Sequence, residues 1–225
     1  MSLDIPRIQG ICFDVDGTLC DTDDLWVSRL EKTLSPSRRI FPQHSPHAFS
    51  RWVVMGMETP GNLLYWMLDA LHLDDDIGRI FNKMAKKGGL RASGPFWIIP
   101  SVKEMLLALQ PRYPLAVISA RDHRSTFAFL DYYGLTSLFL AVATSQTCEH
   151  TKPFPDPLIW ASGQIGISPH NLLMVGDTEV DVRAGKAAGS QTVGVLCGFG
   201  REKGLRRAGA DLIIPSTADL VAILK

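Results

Sequence analysis

An apolar run that ends abruptly at two acids constrains this chain more than any other feature. In Gly10-Ile11-Cys12-Phe13-Asp14-Val15-Asp16-Gly17-Thr18-Leu19, a buried strand gives way to two carboxylates and a glycine turn. Two aspartates one residue apart resist ionising together unless a cation or strong hydrogen-bond donors face them. The layout is that of a magnesium site whose leading carboxylate can attack a phosphorus atom.

Similar apolar runs recur in the second half of the chain. Leu115-Ala116-Val117-Ile118 ends at Ser119, and Phe139-Leu140-Ala141-Val142-Ala143 ends at Thr144. Leu172-Leu173-Met174-Val175 ends at Gly176-Asp177, and Thr192-Val193-Gly194-Val195 and Leu212-Ile213-Ile214 follow. Unbroken runs of this length belong to strands covered on both faces, hence to a parallel sheet. Helical patterns fit between them. Ser101-Val102-Lys103-Glu104 reads as a capping box, and Asp156-Pro157 as an N-cap followed by proline at the first helical position. The stretch from Glu179 to Ala188 ends at Gly189, a natural C-cap, and Ser216 to Asp219 opens a last helix. The alternation predicts an α/β fold, a doubly wound parallel Rossmann-like sheet with right-handed crossovers.

The segment from Asp21 to Ser93 differs. It carries amphipathic patterns, such as Trp26, Val27, Leu30 and Leu34 on one helical face, and a dense apolar stretch from Asn62 to Leu71. Prolines and Gly88-Gly89 punctuate it, and no strand run stands out. The expected organisation is a core of residues 1–20 and 94–225, interrupted by a small helical cap at 21–93. The 225 residues are 46% hydrophobic, enough to bury such a core, and the Lys+Arg and Asp+Glu counts are equal at 23. That balance argues against a bulk nucleic-acid or anionic-membrane binder. Cys12, Cys20, Cys148 and Cys197 lack CxxC spacing, and no apolar run reaches the roughly 18 residues of a membrane span. Reduced thiols in a cytoplasmic protein, with no targeting segment, are the expectation. The six histidines show no metal-ligand spacing.

In open α/β sheets, ligands bind at the carboxyl ends of the strands. Asp14 and Asp16, Ser119, Lys152, and Asp177 with Asp181 all lie just past such ends. Acids, a hydroxyl and a lysine at four separate strand ends are hard to explain by packing. Taken in order, Asp14-Val15-Asp16-Gly17-Thr18, Ser119, Lys152-Pro153 and Gly176-Asp177-Thr178-Glu179-Val180-Asp181 resemble the four motifs of the haloacid dehalogenase (HAD) superfamily. The intervening segment resembles the helical cap of the subgroup that holds phosphoglycolate phosphatases and β-phosphoglucomutases.

The resemblance implies a Mg²⁺-dependent phosphatase that acts on a small phosphorylated metabolite through an aspartyl-phosphate. Asp14 would be the nucleophile, Asp16 the general acid and base, and Lys152 a catalytic charge that also binds substrate. Thr18, Ser119 and Ala120 would line the phosphoryl group, with Arg51 of the cap reaching the rest of the substrate. The metal would be held by Asp14, the Asp16 carbonyl, Asp177 and Asp181, the last directly, through water, or only as a brace for Lys152. An acid at Asp16 separates phosphoester chemistry from dehalogenation, whose halide leaving group needs no proton. Ser119 is followed by Ala120 and Arg121 where the family often has asparagine, so Arg121 is a candidate for a charged contact. A phosphomutase is the first alternative, although Arg51-Trp52-Val53-Val54-Met55-Gly56 holds one basic residue among mostly apolar neighbours. A non-catalytic phospho-ligand binder is the second.

Overall fold

A computed structural model describes residues 3–21 and 96–224. The chain divides into two compact units, 1–22 with 96–225 and 23–95. The second unit, with the expected cap and Arg51, lies outside the described residues. In the first, six strands form one sheet: β1 (Gly10–Phe13), β2 (Leu115–Ile118), β3 (Ala141–Ala143), β4 (Leu172–Gly176), β5 (Gln191–Val195) and β6 (Leu212–Ile214). Their order is β3-β2-β1-β4-β5-β6, and every neighbouring pair is parallel. This is the doubly wound sheet that the apolar runs predict. After β3 the chain crosses back over β1 to begin β4, so the winding reverses between β1 and β4, and a crevice opens there at the carboxyl ends. Phe13 pairs with Val175 in that register, so Asp14 and Asp177 leave the sheet on adjacent strands.

Six helices cover the described sheet: α1 (Val102–Leu109), α2 (His123–Tyr132), α3 (Asp156–Ile165), α4 (Glu179–Ala187), α5 (Glu202–Ala208) and α6 (Leu220–Ile223). Alternate strand residues point to opposite faces, and the two faces differ in size. Ile11, Phe13, Leu115, Val117, Leu173 and Val175 meet Leu106, Phe129 and Leu220 from α1, α2 and α6. On the other face Cys12, Ala116, Ala141 and Ala143, interspersed with Ile118, Leu172 and Met174, meet Leu158 and Ala161 of α3 and Ala184 of α4. Short side chains let α3 and α4 lie close to the strands. That closeness brings the start of α4, with Asp181, over the end of β4. Among the described residues no helix is long and apolar enough to cross a membrane.

Two expected helix starts differ from the structure. Ser101 adopts a left-handed conformation (φ 62°) and its side chain makes no cap hydrogen bond, so the predicted box with Glu104 does not form. The chain reaches α1 through a turn in which the Val102 amide donates to the Ile99 carbonyl, and Ser101 absorbs the change of direction. Asp156 sits inside the first turn of α3, with Pro155 at the N-cap. Its carboxylate faces the His150 ring at 3.2 Å instead of capping. The third strand is also shorter than its apolar run, because Phe139 closes a 3-10 turn and Leu140 is exposed.

The close approach of α4 is testable at Gly185. A Cβ there would lie 2.5 Å from Thr192 Cγ2 and 3.0 Å from Met174 Cβ, both on short, fixed stems. Overpacking of this kind costs about 1–3 kcal/mol, against about 1 kcal/mol gained when alanine replaces a helical glycine. Since neither neighbour can swing away, Gly185→Ala should lose up to about 2 kcal/mol net, read as a lower urea midpoint with an unchanged slope.

Candidate active site

The turn after β1 folds around one carbonyl. Val15 O accepts from the amides of Thr18, Leu19 and Cys20, while the Gly17 amide donates to Cys20 O. Gly17 takes a positive φ of 71°, and any Cβ there would overlap the Asp177 carboxylate. Asp14 is anchored by its amide, which donates to Val175 O on β4 at 2.9 Å.

Lys152, in the loop between β3 and α3, reaches across this crevice. Its Nζ donates to Asp14 Oδ1 and to Asp181 Oδ1, each at 2.6 Å, and its side chain is only 5% exposed. Asp181 is turned to meet it by a capping box at the start of α4. Thr178 N and Thr178 Oγ1 donate to Asp181 Oδ2 at 3.0 and 2.6 Å, which leaves Oδ1 for the lysine. Gly176 makes room for this arrangement, since a Cβ there would overlap the Asp181 side chain. The Asp181 carboxylate is therefore both a helix cap and the brace for Lys152.

Asp177 is fully buried. The Phe199 amide donates to its Oδ2 at 2.8 Å, and Thr18 Oγ1 lies 3.5 Å from its Oδ1. Gly198, in the loop after β5, touches the same carboxylate so closely that a Cβ would overlap both Asp177 Oδ2 and Gly17. Thr18, expected to line the phosphoryl group, is wholly buried with its hydroxyl toward Asp177. Ser119 leaves β2 with its amide on Ala143 O at 2.9 Å, and its hydroxyl accepts from the Arg121 amide at 3.1 Å. Ala120 is exposed.

Asp16 stands apart from the other acids. Its carboxylate is gripped by both ends of the Arg121 fork, Nε to Oδ2 at 2.7 Å and Nη2 to Oδ1. The contact expected of Arg121 is thus made to a catalytic candidate of the protein itself. Sequence reasoning missed the Phe199 amide and Gly198, although a glycine pair just past a strand end was the available signal. It also missed the Thr178 box, which Thr178-Glu179-Val180-Asp181 spells out at the required spacing.

The charges of this site suit a hard cation. Asp14, Asp177 and Asp181 offer oxygens that all lie within 4.8 Å of one another, and all three are buried. Lys152 balances one of the three charges, leaving two to be met. An all-oxygen set carrying that charge fits a divalent cation such as Mg²⁺. Such groups take up protons when nothing else compensates them. Burial pushes Asp14 from its ordinary 3.8 up to about 7, with Lys152 pulling it down and the Asp181 and Asp16 charges adding to the rise. Burial likewise holds Asp177 well above the usual carboxylate range, and the charges of Asp181 and Asp14 act in the same direction. Burial opposes the Lys152 charge, but Asp14 and Asp181 overcome it and hold the ammonium above the ordinary lysine value.

Fold and site together define a doubly wound α/β enzyme with a carboxylate-built centre at its switch point. Residues 11–195 match the family described as "Haloacid dehalogenase-like hydrolase". The chain belongs to that family. It is 27% identical over 243 residues to a phosphoglycolate phosphatase of Escherichia coli (strain K12), covering 96% of this chain and 92% of that protein. It is 26% identical over 220 residues to the pyrophosphatase PpaX of Bacillus pumilus (strain SAFR-032), covering 96% of each. Among solved structures it resembles a HAD family hydrolase from Deinococcus radiodurans R1 with bound phosphate and sodium. That match has a TM-score of 0.71 at 25% identity and covers 97% of this chain and 95% of that one.

Protonation and cation binding should compete here. Folded Asp14 keeps its proton up to about pH 7, whereas in the unfolded chain it ionises near 3.8. Between those values the folded state binds more protons, so the metal-free protein loses stability from this group as pH rises. Thermal melts without metal should show wild type losing stability relative to Asp14→Asn across that window. Added Mg²⁺ should raise the wild-type melting temperature more at pH 8 than at pH 5. A pH-independent Mg²⁺ effect would exclude this linkage.

Proposed function

We propose that this protein is a Mg²⁺-dependent phosphatase that hydrolyses a small phosphorylated metabolite through an aspartyl-phosphate. The observation that carries the reading is the Lys152 ammonium bridging Asp14 and Asp181 beside Asp177. A nucleophile, an anion-binding charge and cation ligands then surround one point. The names of the similar phosphatases support the reaction class.

Asp14 attacks phosphorus, the bond from phosphorus to the leaving oxygen breaks, and that oxygen takes its electron pair and a proton from Asp16. Water then gives a proton to Asp16 and its oxygen attacks phosphorus. The bond to Asp14 breaks and inorganic phosphate is released. Lys152 and the Ser119 hydroxyl hold phosphoryl oxygens as charge builds on them. Asp14, Asp177, the Asp16 carbonyl and Asp181 directly, through water, or only as a brace for Lys152, would hold Mg²⁺, which when bound offsets the repulsion between Asp14 and phosphate. Thr18 supports Asp177, and backbone around Ala120 borders the phosphoryl group. The helical cap expected at 21–93 lies outside the described residues; its Arg51 would contribute to choosing the alcohol. A cytoplasmic location agrees with four cysteines that remain thiols.

Two experiments test this reading. Purified protein with Mg²⁺ should release phosphate from members of a panel of phosphorylated metabolites and stop in excess chelator. Turnover that survives chelation would remove the metal from the mechanism. Asp14→Asn is isosteric and should fold normally, yet release no phosphate and retain no acid-stable label from ³²P substrate. Asp16→Asn should lose roughly 10²–10⁴-fold in kcat. Near-normal turnover by Asp14→Asn would overturn the covalent route.

A further inference from the structure

Asp16 differs from the other acids of the site in its surroundings. Lys152 binds Asp14 and Asp181, and backbone and Thr18 surround Asp177, but none of these bonds to Asp16. Its side chain is 32% exposed, at the open side of a cluster whose other carboxylates are buried. What it meets there is Arg121. The guanidinium is 16% exposed and takes both carboxylate oxygens in the side-by-side geometry that only arginine offers.

Arg121 is itself pinned. Its amide donates to Ser119 Oγ at 3.1 Å, its carbonyl accepts from the Ser145 amide at 2.9 Å, and Nη2 lies 3.7 Å from Cys20 Sγ. Cys20 closes the turn that carries Asp16, through its amide on Val15 O and its carbonyl on the Gly17 amide. The guanidinium therefore ties the end of β2 to the turn after β1 and fixes the rotamer of the acid between them. A flexible carboxylate at the mouth of a site has several rotamers, and only those aimed at the leaving oxygen transfer a proton. Small misplacements of a catalytic group are costly in rate.

We infer that Arg121 is a positioning residue: its fork takes one lone pair of each Asp16 oxygen and so fixes the plane of the carboxylate, leaving the outer lone pairs to carry the proton in its two transfers. This rests on the reading of Asp16 given under Proposed function. Arg121 thus links the phosphoryl-binding Ser119, two residues before it, to the group that serves the alcohol. Through this arginine, proton transfer depends on the loop at the end of β2.

The test exploits leaving groups. Glycerol 2-phosphate has an alkoxide leaving group that must be protonated, whereas 2,4-dinitrophenolate departs without a proton. Breakdown of the aspartyl-phosphate needs Asp16 as base with either substrate. Arg121→Gln should lower kcat on glycerol 2-phosphate by about 10²-fold, the low end of what acid–base catalysis supplies, with little change in KM. On 2,4-dinitrophenyl phosphate it should release one equivalent of dinitrophenolate rapidly and then turn over more slowly than wild type. Arg121→Lys, which keeps the charge but loses the fork, should recover part of kcat. Combined with Asp16→Asn, Arg121→Gln should cost nothing further, because the group it positions is already disabled.

Equal losses on both substrates with no burst would overturn the inference in favour of a general structural role. So would a further loss on the Asp16→Asn background, or a rise in KM at constant kcat, which would make Arg121 a substrate ligand. Unchanged far-ultraviolet circular dichroism separates these outcomes from misfolding, and Arg121→Lys carries the test if Arg121→Gln does not fold. Wild-type protein that forms no phosphoenzyme would instead overturn the proposed function itself.

Discussion

One ammonium shared by two carboxylates organises the crevice. Lys152 belongs to the loop after β3, Asp14 to the end of β1 and Asp181 to the start of α4, so their contact fastens three separate elements. Burying this group requires that its charge be met, and it is met by acids that cannot turn away. Asp14 is held through its amide on β4, and Asp181 through the cap it forms with Thr178. The remaining geometry follows. Gly176 must be small for Asp181 to lie against it, and Asp177 takes its hydrogen bond from the Phe199 amide instead. A site held in this way has two of its carboxylates and the ammonium between them set by the same few contacts.

The sheet explains why those contacts arise where they do. Strand order places β1 beside β4 at the reversal of winding, where two strand ends project acids into a single crevice. The asymmetric faces contribute as well. Bulky residues fill the side covered by α1, α2 and α6, whereas on the side covered by α3 and α4 Cys12, Ala116, Ala141 and Ala143 are interspersed with Ile118, Leu172 and Met174. The thin side permits the short reach from strand to helix start that the Asp181 cap needs.

Much of this can be read from residues alone, and the exceptions have physical reasons. Strands buried on both faces leave runs such as Leu172-Leu173-Met174-Val175, and the polar residues that end them mark the mouth of the crevice. Local helix starts are less certain, since a side chain that can cap can also do something else. Asp156 faces His150, and Ser101 lies in a turn whose direction is set by Ile99. Contacts made by main-chain groups leave little trace in side-chain identity, so the Phe199 amide at Asp177 could be approached only through its flanking glycines. The partner of Arg121 is separated from it by 105 positions. Its charge was visible in the sequence, and its grip on Asp16 was not.

The surroundings of Asp177 have a consequence for how such a centre can change over generations. An amide holds this carboxylate, and Gly17 and Gly198 press against it. Main-chain groups are common to every amino acid, so most replacements in neighbouring loops alter neither the donor nor its direction. The glycines have no conservative substitute, and almost any exchange there would be eliminated at once. The carboxylate centre is thereby insulated from the slow accumulation of side-chain variation in the loops around it. A lineage built on this plan can vary the loops around the centre without disturbing the carboxylate at its heart.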